Sequence, residues 1–170
     1  MKKAKLPAGA CDAHVHVFRP DVHPYAADRT YTPGRITSAQ LAKFLKGHSL
    51  KRVVIVQPSV YGHDNRAMID ALGELGRRRA RGIAVVDPAT VTDETLADLE
   101  AAGVAGLRLN VATQGRGDLA RSLRAADRRL AGSDLHIQIY APLPVVVANE
   151  RVIAGVKPKL ALVSVGEDPA

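Results

Sequence analysis

The 170-residue chain has one cysteine, Cys11, no tryptophan, two phenylalanines and four tyrosines. A single thiol excludes an intrachain disulfide framework and points to a reducing compartment, the cytoplasm. Cys11 reads as a small buried residue rather than a nucleophile. With aromatics at 4% of residues, platforms for stacking bases are scarce. No apolar run approaches the roughly 20 residues of a membrane span. The basic start Met1-Lys2-Lys3-Ala4-Lys5 runs straight into Pro7, Gly9 and Asp12 with no apolar core, so it does not read as a signal peptide. No Gly-x-Gly-x-x-Gly motif and no P-loop lysine motif is present; Gly115-Arg116-Gly117 is too short a match.

Acidic residues are the scarcer charge, 17 against 24 basic, for a net charge of +7. The sharpest basic run is Arg77-Arg78-Arg79-Ala80-Arg81. Such a run serves either nucleic acid or a helix C-terminus, where cations complement the dipole. Few aromatics and no nucleic-acid motif favour the helix end, so no nucleic-acid or membrane partner is expected. The positive balance suits a small anionic substrate.

What the chain does have is alternation. Short β-branched runs at 10–18, 52–57, 82–86, 104–110, 135–140 and 159–165 alternate with helical runs. Thr37-x-x-Gln40 has capping-box form and opens a helix carrying Leu41, Phe44 and Leu45, stopped at Gly47. Asp64 or Asn65 caps a helix with Met68, Ile69, Leu72 and Leu75 on one face. Thr92 opens a helix with acidic residues in its first turn and Gly103 after its last. Asp118 opens another, with Leu119, Leu123, Ala126 and Leu130 at helical spacing. Pro144 begins a helix running to Ile153. Strands apolar on both faces and separated by single helices form parallel βαβ units. With no repeat and no linker, residues 1–170 read as a single α/β domain.

Polar residues interrupt the apolar strands in i, i+2 pairs, and each pair shares a strand face. The pairs are His14/His16, Gln57/Ser59, Arg108/Asn110 and Gln138/Tyr140, all at strand C-terminal ends. A (β/α)8 barrel builds its active site at that edge. An open nucleotide-binding sheet uses it too, but lacks support here without the glycine motif. A (β/α)8-type barrel is therefore favoured over a nucleotide fold. Arg108, inside Gly-Leu-Arg-Leu-Asn-Val, is costly to bury unless it meets an anion. Gln57 is open between satisfying backbone groups and facing substrate. His136, at the start of its strand, reads as structural, and His23, His48 and His63 as solvated loop or helix-end residues. Tyr61-Gly62-His63-Asp64-Asn65 reads as a turn plus helix cap.

Five segments occur in a telling order: Cys11-Asp-Ala-His14-Val-His16-Val-Phe, Val56-Gln57-Pro58-Ser59 with Asp64-Asn65-Arg66, Gly82-Ile-Ala-Val-Val-Asp87-Pro88, Ala102-Gly-Val-Ala-Gly-Leu-Arg108-Leu-Asn110, and His136-Ile-Gln138-Ile-Tyr140. The chain resembles the amidohydrolase-related group of the amidohydrolase superfamily, near the 2-pyrone-4,6-dicarboxylate lactonases, over about residues 9–154. The resemblance implies hydrolysis of a lactone, ester or amide of a small carboxylated substrate. It implies that His14 and His16 are catalytic and form the first-strand metal pair, with zinc the expected divalent ion. Members of the lactonase branch also act without a tightly bound metal, and there the histidines polarise the scissile carbonyl directly. Ser59, Arg108 and Tyr140 match substrate-oxygen positions, with Gln57 and Asn110 beside them.

The departures matter equally. The family pattern has eight strands, a histidine in an Asp-His-Phe-Gly-like segment at the sixth, and a general-base aspartate at the eighth. Here Leu160-Ala-Leu-Val-Ser164-Val-Gly166 carries no histidine, and no seventh or eighth strand follows. Against that pattern the expected fold is an incomplete (β/α)8 barrel, about six of eight βα units, and the ligand set is incomplete with it. The alternative expectation is a truncated, inactive remnant that needs a partner chain, a second copy or a domain swap to cover the open barrel.

Overall fold

The computed structural model describes residues 6–111 and 118–165. Met1 to Lys5, Gly115-Arg116-Gly117 and Gly166 lie outside these residues. The chain falls into two compact units, Met1–Gly82 and Ile83–Ala170.

The first unit carries β1 (Cys11–Val15), α1 (Ser38–Gly47), β2 (Arg52–Val56), a single 3-10 turn (Ser59–Tyr61) and α2 (Arg66–Leu75). It ends within β3 (Ala80–Ala84). Its hydrogen-bonded strand order is β1-β2-β3, with β1 and β2 parallel. Val53, Ile55 and Val56 of β2 are buried, as are Leu41 and Leu45 of α1 and Met68 and Leu72 of α2. Gly82 has no Cβ because Leu72 Cδ1 and Met68 Sδ lie 2.8 and 2.9 Å from where one would sit. The expected capping box is present: Thr37 Oγ1 accepts from the Gln40 N–H while Gln40 Oε1 accepts from the Thr37 N–H. A long loop leaves β1 and is closed by paired backbone bonds of 2.8 Å between Phe18 and Ile36.

The second unit carries α3 (Asp93–Ala102), β4 (Val104–Asn110), α4 (Leu119–Arg129), β5 (His136–Pro142), α5 (Leu143–Ala148), α6 (Glu150–Gly155) and β6 (Leu160–Val165). Its order is β3-β4-β5-β6, with β4-β5 and β5-β6 parallel. Leu107, Leu109, Ile137 and Ile139 of the strands are buried, as are Leu119, Leu123 and Leu130 of α4 and its C-terminal end. The Thr92 and Asp118 caps and the left-handed Gly103 (φ 103°) stand as the sequence indicates.

Four expectations need correction. The arginine run does not end a helix. Gly76, at φ 81°, stops α2 after Leu75, and the run forms the following turn and the start of β3, which begins two residues earlier than expected. Cys11 is exposed, because β1 is an edge strand with a neighbour on one side only. His23 is buried, not solvated: its Nε2–H donates to Asp70 Oδ2 at 2.7 Å, tying the loop after β1 to α2. The helix expected from Pro144 to Ile153 is two short helices, broken at Asn149, whose side-chain amide donates to the Val145 carbonyl at 2.8 Å. The structural reading of His136 agrees with the packing, since its ring and carbonyl oxygen fill the space a Cβ on Gly106 would take, at 2.7 Å.

Candidate active site

Two groups of polar side chains stand at strand ends, one in each unit. In the first, β1 pairs with β2 through a register irregularity: Asp12 faces Val53 and Val15 faces Ile55, so β1 spends one extra residue. Such a bulge re-aims the side chains beside it. The His14 and His16 rings meet edge to face, with centroids 5.2 Å apart and planes at 90°. His16 is half-buried, with Phe18 on its other side at 6.0 Å. Its Nδ1 lies 2.7 Å from the Val56 carbonyl oxygen at the end of β2. A carbonyl only accepts, so Nδ1 carries the proton, and in the neutral ring Nε2 carries the lone pair. The histidine pair is visible in the residue pattern; this orienting group is not, because a backbone carbonyl leaves no signature there.

Gln57 follows β2 and is fully buried. Its Nε2 donates to the Asp64 carbonyl at 2.7 Å, holding the turn that leads into α2. Its Nε2 thus supports backbone, while its buried Oε1 has no hydrogen-bond partner among the described residues. Ser59 is half-buried at the start of the 3-10 turn. Asp64 caps α2 from outside through the Arg66 N–H, and the Arg66 side chain binds both Asp64 oxygens at 2.7 and 2.8 Å. That guanidinium holds the Asp64 carboxyl below the usual carboxylate range.

In the second unit, the parallel register sets Arg108 beside Gln138 and Asn110 beside Tyr140. Arg108, Asn110 and Gln138 are buried and Tyr140 half-buried. The Arg108 guanidinium carbon stands 4.2 Å from the centroid of the Tyr140 ring. A desolvated guanidinium over a phenol face is held by the ring quadrupole. The diagonal reach from one strand to the next makes the contact; the i, i+2 pattern within each strand does not reveal it.

Parallel βα units with polar side chains at the strand C-terminal ends are the building units of a βα barrel. An amidohydrolase family model matches residues 11–163, and the chain belongs to that family. It is 46% identical over 107 residues to 2-pyrone-4,6-dicarboxylate hydrolase of Comamonas testosteroni, a match covering 62% of this chain and 34% of the relative. It is 39% identical over 104 residues to 4-sulfomuconolactone hydrolase of Rhizobium radiobacter, covering 61% and 34%. The matched region thus spans about a third of these curated relatives. A crystal structure of a probable 2-pyrone-4,6-dicarboxylic acid hydrolase from Acinetobacter baumannii, with citric acid bound, superposes with a TM-score of 0.74 at 27% identity, covering 91% of this chain and 57% of that one. The six strands therefore match part of a TIM-barrel amidohydrolase. A zinc-bound amidohydrolase from Burkholderia multivorans shares the fold at a TM-score of 0.61 and 20% identity.

Among the described residues, no group of three or more His, Cys, Asp or Glu side chains is placed to hold an ion. A histidine pair alone falls short of the three protein ligands of a catalytic zinc site. Among the described residues, no helix is long and apolar enough to cross a membrane.

Proposed function

We propose that this chain is a hydrolase of the amidohydrolase type, opening a lactone, or cleaving an ester or amide, of a small carboxylated molecule. The observation that carries the reading is the buried Arg108 guanidinium laid over Tyr140 at a strand end. Its planar fork suits a substrate carboxylate through charge-assisted bonds, and Asn110 on the same strand face supplies an amide to substrate oxygens. Ser59, in the first unit, is proposed as a further hydroxyl for substrate oxygens. In the first unit, His16 is oriented by the Val56 carbonyl to accept a proton at Nε2. The chemistry then balances without another reagent. Water adds to the acyl carbon and gives its proton to His16 Nε2, His14 polarises the carbonyl, the ring C–O bond breaks, and the leaving oxygen takes the proton back. The names of the relatives favour a lactone over an amide, and the bound citrate in a relative favours a carboxylated ligand.

The test is loss of pyrone absorbance when 2-pyrone-4,6-dicarboxylate is mixed with the purified chain, with and without added Zn²⁺. Turnover that disappears in His14→Ala and Arg108→Ala supports the proposal; no turnover in either condition overturns it for the chain alone. A second reading rests on Leu143, Val147 and Leu162, exposed at 59, 59 and 54% in the second unit. In this reading the chain is inactive alone and gains activity when a partner chain or second copy covers them.

A further inference from the structure

The arginine run that sequence reasoning assigned to a helix end lines a cavity of about 740 Å³ in the first unit. Its walls carry Arg52, Arg77, Arg78, Arg79 and Arg81, with Cys11 at one side. A second cavity of about 540 Å³ shares Arg79 and adds Lys43, Lys46 and Lys51. Among the described residues, neither is lined by an aspartate or a glutamate. Cys11, Arg52 and Ala80 are the first residues of β1, β2 and β3. The cavity is thus at the strand N-terminal ends, while His14 and His16 lie toward the C-terminal end of β1. The basic pocket is therefore separate from the histidine pair.

None of the ion pairs among the described residues involves Arg52, Arg78, Arg79, Arg81, Lys43, Lys46 or Lys51. Arg52 Nε donates to the Gly9 carbonyl at 2.9 Å, and Arg81 bonds the Arg77 and Ala80 carbonyls. These backbone bonds fix the guanidinium positions without neutralising them. Gathering so many like charges gives the pocket a positive potential that an anion complements.

We propose that this pocket binds a small, multiply charged oligophosphate. Three observations select that class. Guanidinium forks match phosphate oxygens in pairs. The volume lies within the range of small-ligand sites. Among the described residues, no aromatic side chain lines either cavity, which disfavours stacked bases and hence single-stranded nucleic acid.

The test uses the full chain, with sodium tripolyphosphate as probe in calorimetric titration at 0.1 M salt. Orthophosphate, citrate and a 20-nucleotide single-stranded DNA serve as comparisons. The expected result is tripolyphosphate binding at least tenfold tighter than citrate or orthophosphate. It should weaken at least tenfold in the double variant Arg78→Gln/Arg79→Gln, whose side chains are exposed. Cys11, the one thiol in the chain, gives a second readout on the unmutated protein. Alkylation by neutral iodoacetamide should slow at least threefold when tripolyphosphate is bound. The proposal is overturned by affinity no better than that for orthophosphate, by binding unchanged in the double variant, or by Cys11 alkylation indifferent to the probe. DNA binding tighter than tripolyphosphate would likewise overturn it, in favour of a nucleic-acid surface.

Discussion

Arg108 holds its guanidinium carbon 4.2 Å from the centre of the Tyr140 ring, across the β4–β5 pair. The contact ties a buried cation to a half-buried aromatic on the neighbouring strand, so each residue sets where the other points. Replacing Arg108 with lysine keeps the charge but removes the planar fork. Arg108→Lys should lower kcat/KM on a dicarboxylated lactone by about 10²-fold, mainly through KM. Tyr140→Phe, which keeps the ring, should change KM less than Tyr140→Leu, which removes it. Equal effects of the two Tyr140 variants would mean that the hydroxyl, not the ring face, does the work. The readout is initial-rate kinetics with varied substrate.

Removing the His16 imidazole removes both the proposed proton acceptor and a ring that meets those of His14 and Phe18. His16→Ala should lower kcat by about 10²–10⁴-fold, the usual range for a positioned general base. Its far-UV circular dichroism should be retained, because His16 lies just outside β1. A variant that keeps wild-type kcat would remove His16 from the chemistry.

Two glycines give a ranked stability test. A Cβ on Gly106 would lie 2.7 Å from the His136 backbone oxygen as well as from its ring, and a strand carbonyl cannot step aside. A Cβ on Gly82 would meet the flexible ends of Leu72 and Met68 instead. Gly106→Ala should therefore cost about 2–3 kcal/mol and Gly82→Ala about 1 kcal/mol, within the range for overpacking. Adding His136→Ala to Gly106→Ala should recover only part of the loss. Urea unfolding midpoints of the four proteins check the order.

Burial pushes the Tyr25 phenol up to about 12, with Tyr61 beside it adding to the effect. Its hydroxyl donates to the Pro33 carbonyl at 3.0 Å, a bond that needs the proton. The folded state thus favours the neutral phenol. The stabilisation is fully present below an unfolded value of about 10 and is lost as pH rises toward about 12. Stability measured by urea should fall across that window, and less so in Tyr25→Phe. Phenolate absorbance at 295 nm should show one tyrosine of the four ionising last in the wild type and missing in the variant.

The alternation of strands and helices was legible because caps and periodicity are local. Thr37 with Gln40, Thr92, Gly103 and Asp118 each stand where the pattern puts them. What was not legible depends on neighbours distant in sequence. Cys11 looks like a core residue until β1 is known to be an edge. His23 looks solvated until Asp70, 47 positions away, is brought against it. The arginine run looks like a helix end because nothing local distinguishes Gly76 as a stop from the glycine at position 73, which α2 includes. At the site, the residue types and strand ends were readable. The Val56 carbonyl that sets the His16 tautomer and the diagonal stack of Arg108 on Tyr140 were not, since one is backbone and the other crosses strands.

The register of β4 on β5 is uninterrupted from Gly106 opposite His136 to Asn110 opposite Tyr140. Changes of chain length therefore fall into two kinds. Residues gained or lost in the connection after β4 leave every pairing in the ladder intact. One residue gained or lost inside either strand, upstream of its polar pair, would turn Arg108 and Asn110, or Gln138 and Tyr140, to the face now held by Leu107, Leu109, Ile137 and Ile139. Length variation among related chains should accordingly gather outside these two seven-residue strands, and a library built by random insertion should keep its soluble members there.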